Sequence, residues 1–178
     1  MVSGEEDPRV VAELAAAWRI AAARPEVDAA IRSIHQSIDR EVSRRRPLCL
    51  ASGNCCRFEA FDHRLMVTGL ETAWTLHELE NSVVDAAAID AAAIVDARER
   101  GDCPFLVGDG RRLCGIRTAR PMPCRTFFCD RAATGWQQDL HERSLSELRS
   151  LHDRFEIPYR YLEWRDALAW LVRPRGVS

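Results

Sequence analysis

The seven cysteines of this chain fall in two short runs. Cys49, Cys55 and Cys56 lie in LCLASGNCCRF, and Cys103, Cys114, Cys124 and Cys129 lie in CPFLVGDGRRLCGIRTARPMPCRTFFC. Thiols used only as core packing would not segregate in this way. Two loops that converge on a common object would. The thiolate is a soft ligand suited to zinc, iron, cuprous copper and iron–sulfur clusters. The expectation is a metal site drawn from Cys49, Cys55, Cys56, Cys103, Cys114, Cys124 and Cys129, holding an iron–sulfur cluster or zinc. Structural zinc takes four ligands and a four-iron cluster takes four cysteines. Seven thiols exceed one such site and fall one short of two; a bridging thiolate, a His or a water closes the gap. The spacings lack the close C-x2-C pairs of zinc ribbons, which favours iron–sulfur. Adjacent side chains diverge, so Cys55 and Cys56 are expected to serve different metals, or only one of them ligates.

The local charge suits anionic sulfur. From Cys103 to Arg131, six arginines (111, 112, 117, 120, 125 and 131) are set against Asp109 and Asp130, a balance of +4. Nearby guanidinium groups lower thiol pKa. The whole chain carries a formal net charge of −2, which gives no general pull toward nucleic acid or anionic membrane. A nucleic-acid partner is not expected; a protein partner is compatible. All 25 basic residues are Arg, so Schiff-base chemistry through lysine is excluded. The acidic start MVSGEEDPRV has no apolar signal region, and the apolar runs are short and broken by charge. A cytoplasmic location follows as an expectation. Reducing surroundings and an odd thiol count favour metal over disulfides. No Walker loop, GxGxxG or HExxH occurs, nor the C-x3-C-x2-C of radical S-adenosylmethionine enzymes, and no catalytic residue is assigned.

The cysteine pattern resembles the YkgJ-type cysteine-cluster family, a zinc- or iron-chelating domain. That family's first loop reads approximately C-x2-C-G-x-C-C; here it is Cys49-Leu-Ala-Ser52-Gly53-Asn54-Cys55-Cys56. The second reads C-P-F-L, then C, then R-P-x-x-C-R, then C. Here it is Cys103-Pro104-Phe105-Leu106, Cys114, Arg120-Pro121-Met122-Pro123-Cys124-Arg125 and Cys129. The similarity covers residues 49–129. Ser52 stands where the family has an eighth cysteine, and a hydroxyl is a poor substitute for thiolate. The resemblance implies a metal-binding protein with a structural, redox or metal-handling role. Some larger flagellin lysine methylases resemble the same module, which raises an enzyme reading in redox or methyl-transfer chemistry. A third reading is an Arg-rich protein- or RNA-interaction module whose metal only holds the fold.

The elements that must position these loops read as mainly helical α+β, one domain over 1–178 with one or two small hairpins. A cysteine core at 49–129 is flanked by helices within 8–46 and 136–173. Pro8 opens a helix with Val11, Leu14, Ala15, Trp18 and Ala22 on one face. After Pro25, the stripe Val27, Ile31, Ile34, Ile38 and Val42 marks a second helix, stopped by Pro47. Phe58–Ala60 and Leu65–Val67 are expected to pair as a hairpin. Helices follow at Gly69–Glu80 and Asp85–Arg100. A hairpin turning near Asp109 should pair residues whose numbers sum to about 218, setting Cys103 beside Gly115. A turn is expected between Cys124 and Cys129. Beyond Gly135, Leu145, Leu148, His152 and Phe155 mark one helix, and Tyr161, Trp164, Leu168 and Leu171 another. His35, His77 and His152 lie on or beside apolar stripes and read as core or boundary residues. His63 differs, since it follows the Cys55-Cys56 loop.

Overall fold

The first helix forms where Asp7 accepts the Arg9 N–H at 2.9 Å and Pro8 fills a position that needs no N–H donor. A computed structural model describes residues 6–50, 52–81, 89–108 and 113–172. Helix α1 runs Pro8–Ala22 and α2 runs Pro25–Arg45, where Arg46 turns left-handed at φ 52° and its N–H reaches Val42 O. Their buried faces carry Ala15, Trp18 and Ala22, and Val27, Ile31, Ile34 and Ile38. Helix α3, Gly69–Glu80, begins in a capping box between Thr68 and Glu71. Gly69 is required there: a Cβ would stand 2.4 Å from the Trp18 ring. Helices α4 (Ala91–Arg100), α5 (Met122–Thr126), α6 (Thr134–Arg154) and α7 (Trp164–Leu171) complete the set. The protein is mainly helical α+β, and among the described residues no helix is long and apolar enough to cross a membrane.

Among the described residues, four short strands make two antiparallel pairs. Strand β1 (Met66–Thr68) pairs with β4 (Tyr161–Glu163), and β2 (Leu106–Val107) pairs with β3 (Leu113–Cys114). Several sequence expectations change here. Phe58–Ala60 does not pair with Leu65–Val67. Instead Glu59–Phe61 is a 3-10 turn that ends at left-handed Asp62 (φ 46°), and the Met66–Thr68 edge goes to Tyr161–Glu163. Tyr161 therefore sits in a strand, and its helix starts at Trp164 on the Glu163 side-chain cap. Gly135 lies inside the first turn of α6 rather than before it. The alanine-rich helix begins at Ala91, after the Asp90 cap; residues 82–88 of the expected span lie outside the described residues. The hairpin register pairs Leu106 with Cys114 and Val107 with Leu113, two steps from the expected sum. Its turn at 109–112 and Pro174 also lie outside the described residues.

Burial divides into two apolar clusters. One gathers α1, α2, α3 and α6 around Trp18, Ile31, Trp74 and Leu148. The other collects Phe58, Val67, Ile94, Phe105, Trp164 and Leu168 together with Cys56 and Cys103. Leu76 and Leu162 pack against both, so the clusters meet along α3 and β4.

Candidate metal centre

Gly53, at φ 70°, supplies the left-handed step that feeds a 3-10 turn over Asn54–Cys56, closed by Cys56 N–H to Gly53 O at 2.9 Å. The tight winding brings the Cys55 and Cys56 Sγ atoms to 4.0 Å of each other. The expectation that adjacent thiols diverge is corrected: it holds for extended chain and fails in this turn. The two cysteine runs are joined directly, because Cys103 N–H donates to Cys56 O at 2.7 Å. A second bond, Glu59 N–H to Gly101 O at 3.2 Å, runs alongside. Cys114 arrives on β3, held by the ladder and by Gly115 N–H to Phe105 O at 2.8 Å.

Cys124 rides on α5, correcting the expected turn: one short helix carries it, and Phe127 returns the chain to extended backbone before Cys129. Two buried charged side chains place that helix. Glu71, inside the α3 capping box, also accepts Met122 N–H at 2.7 Å. Burial pushes its carboxyl above the usual range, against the bonds from Met122 and Thr68. Arg125 points away from the thiols, donating to Asp39 at 2.9 Å and to the carbonyls of Thr118 and Arg120. It clamps the 118–126 segment onto α2.

The thiols sense one another. Cys56 faces Cys103, Cys114 and Cys55, and these contacts together with burial push its thiol far up. The contact with Cys56 lowers Cys114 to about 6 against burial; the Ile116 backbone, Arg120 and Arg117 add to the lowering. The contact with Cys56 also lowers Cys55 to about 7, with a smaller contribution from Arg120. Cys124 is raised well above its ordinary value, chiefly by burial, then by the charges of Cys103 and Cys114. Five thiols from both runs are thus gathered: Cys55, Cys56, Cys103, Cys114 and Cys124.

The other two stand differently. Cys129 is half-buried and shares a cleft wall with Cys55, Cys56, Cys114 and Cys124. Cys49 is exposed and lies outside that cleft. Ser52 Oγ accepts the Asn54 N–H at 3.4 Å, a local turn bond. His63 serves as a support: its ring meets the Cys55 backbone, lies edge-on to Phe58 and stacks on Phe127 with centroids 5.6 Å apart. Among the described residues, no group of three or more His, Cys, Asp or Glu side chains is placed so that it could hold a metal ion. Of the gathered sulfurs, Cys55 and Cys56 stand within hydrogen-bonding reach of each other at 4.0 Å. Four sulfurs about 2.3 Å from zinc would sit roughly 3.8 Å apart, close to the 4.0 Å between Cys55 and Cys56.

Sequence reasoning missed Glu71 and the cleft. Thr68-x-x-Glu71 ahead of an apolar run is a capping-box signature and was readable. The cleft has no such signal, because its walls come from five separate stretches of chain. No protein-family model, no curated protein and no solved structure matches this chain.

Proposed function

We propose that this protein is a thiolate metal-binding protein, its site built on Cys56 and the sulfurs around it. Cys55, Cys103 and Cys114 are its nearest neighbours and Cys124 lies alongside. The single observation that carries the reading is the meeting of the two runs, where Cys103 N–H bonds Cys56 O and the Cys56 thiol faces Cys103 and Cys114. The chemistry of the donors, not their present spacing, supports the reading. All donors are soft sulfur, enough are present for one tetrathiolate site, and Arg120 supplies positive charge beside them. The resemblance to the YkgJ-type family points the same way. An iron–sulfur cluster or zinc would be held in a reducing cytoplasmic setting, in a structural, redox or metal-handling role.

The enzyme reading is the second one, and the cleft beside the thiols favours it over a purely structural site. The Arg-rich interaction module has less support, since Arg125 is buried in pairing with Asp39. Anaerobic purification followed by iron, zinc and acid-labile sulfide analysis tests the proposal. Brown protein with equal iron and sulfide identifies a cluster; colourless protein with stoichiometric zinc identifies a zinc site. Protein that emerges metal-free, and that takes up neither metal on reconstitution, overturns it.

A further inference from the structure

A cleft of about 800 Å³ opens beside the thiols, within the size range of small-molecule sites. Its mouth is unusually apolar. Eight large apolar side chains are well exposed among the described residues, and Leu50, Phe61 and Phe127 line this one cleft. Those three are 60%, 47% and 49% exposed, so water-facing apolar area is concentrated at one concavity. Leu65, Met66, Phe128 and Tyr161 continue the apolar wall inward.

The polar groups of the wall are mostly committed elsewhere. Gln137 accepts from Phe128 N–H and donates to Asp130 O. The His141 ring bonds the Thr126 hydroxyl, and burial lowers the pKa of both His141 and His63. Asp130, the single carboxylate of the wall among the described residues, takes the N–H groups of Leu48 and Ala132. Against it stand Arg64, Arg120 and Arg131. Arg120 is turned toward the Arg117 carbonyl and the thiols. Arg64 and Arg131 have no carboxylate partner among the described residues. The cleft therefore presents an apolar enclosure with two uncommitted guanidinium groups.

We propose that this cleft binds a small amphiphilic anion: an apolar or aromatic body with one carboxylate, the body against Phe61 and Phe127 and the head on Arg64 or Arg131. A cationic amphiphile of the same shape would meet like charge, and a fully polar anion would leave the apolar mouth in water. The proposal goes beyond the metal reading and does not depend on it.

The test uses the full chain as purified, with 2-naphthoate as probe and 2-naphthamide and 2-naphthylmethylamine as its neutral and cationic matches. Titration calorimetry should show 2-naphthoate binding about ten-fold more tightly than the amine. The double variant Arg64→Gln/Arg131→Gln should weaken naphthoate by about ten-fold while leaving naphthamide unchanged. Phe127→Ala should weaken both. All three residues are exposed, so unchanged thermal melts will verify folding. The proposal is overturned if no naphthyl probe binds, if the amine binds as well as the acid, or if the double variant binds naphthoate unchanged. Metal analysis of the same samples keeps the two proposals apart. Metal without naphthoate binding sinks only the cleft proposal; naphthoate binding without metal sinks only the metal site.

Discussion

The two halves of the molecule are held together by different means. In the helical half, α1, α2, α3 and α6 enclose Trp18, Ile31, Ile38, Trp74 and Leu148, all almost wholly buried. Each such side chain contributes roughly 1.5–3 kcal/mol of transfer free energy, and Trp18 Nε1–H to Pro158 O and Trp74 Nε1–H to Asp28 add polar ties. The thiol half has a smaller core in which two of the buried members are cysteines. Its own polar ties are Arg165 to Glu59 and Glu163, while Glu71 to Met122 and Arg125 to Asp39 fasten α5 to the helical half. The comparison teaches that the thiol half is incomplete as an apolar unit. A metal bound by its sulfurs would supply folding free energy that its core does not, as in small metal-dependent domains.

The most damaging single change should therefore be Cys56→Ser. It removes the sulfur that faces three others and leaves the rest without a centre. Metal content should fall to background, and chelation of the unaltered protein should reproduce the loss of protection. Hydrogen exchange reads both, with protection lost around 54–61 and 103–116 and retained in α1 and α2. Uniform loss over both halves would erase the contrast between them.

Next in size is an acid-dependent loss confined to the helical half. His35 is buried edge-on to Trp74, and among the described residues neither ring nitrogen has a hydrogen-bond partner. Burial, then the charges of Arg125, Arg32 and Arg120, lower its pKa to about 3. A depressed histidine binds its proton more readily in the unfolded chain, so its contribution is full above about 6.5 and is lost as pH falls toward 3. The loss amounts to roughly 4–5 kcal/mol over that window, at about 1.36 kcal/mol per unit. His35→Leu should flatten this acid limb of the denaturation midpoint against pH. An acid limb that persists in the variant would assign it to other groups.

Glu71, at the joint between the halves, has the opposite sign. Its carboxyl is raised by burial, so its contribution is greatest below about 4.5 and declines as pH rises through the raised folded value. Glu71→Ala should cost about 2–4 kcal/mol, since it leaves Met122 N–H and Thr68 N–H buried without an acceptor. It should also loosen metal retention, because α5 carries Cys124. Glu71→Gln should keep most of the structure while removing the pH slope. Unchanged metal affinity in Glu71→Ala would separate α5 from the site.

The same division explains what was legible in the sequence. The helical half announces itself through period: Val27, Ile31, Ile34 and Ile38 repeat at helical spacing because a 21-residue helix must bury one stripe. Gly69–Glu80 is readable from its cap and its ending. The thiol half has no period to read. Strand β1 is three residues long, and its partner lies near residue 162, a pairing set by tertiary contact. The gathering of cysteines was legible as composition. Their geometry was not, because the 4.0 Å approach of Cys55 and Cys56 depends on one left-handed glycine.

The smallest expected effect falls on Cys49, where the sequence pattern and the structure part most clearly. By spacing it belongs to the first cysteine run, yet it is exposed, lies outside the cleft, and is followed by Ser52 engaged in a local turn. A thiol with those surroundings adds nothing to a site centred on Cys56. Cys49→Ser should leave metal stoichiometry, colour and melting temperature unchanged, with stability altered by less than about 0.5 kcal/mol. Thiol alkylation of the folded protein should label the exposed Cys49 and Cys55 before the buried Cys56 and Cys103. If Cys49→Ser instead halves the bound metal, the first run closes over the site on binding. The boundary between the two halves would then extend to the end of α2.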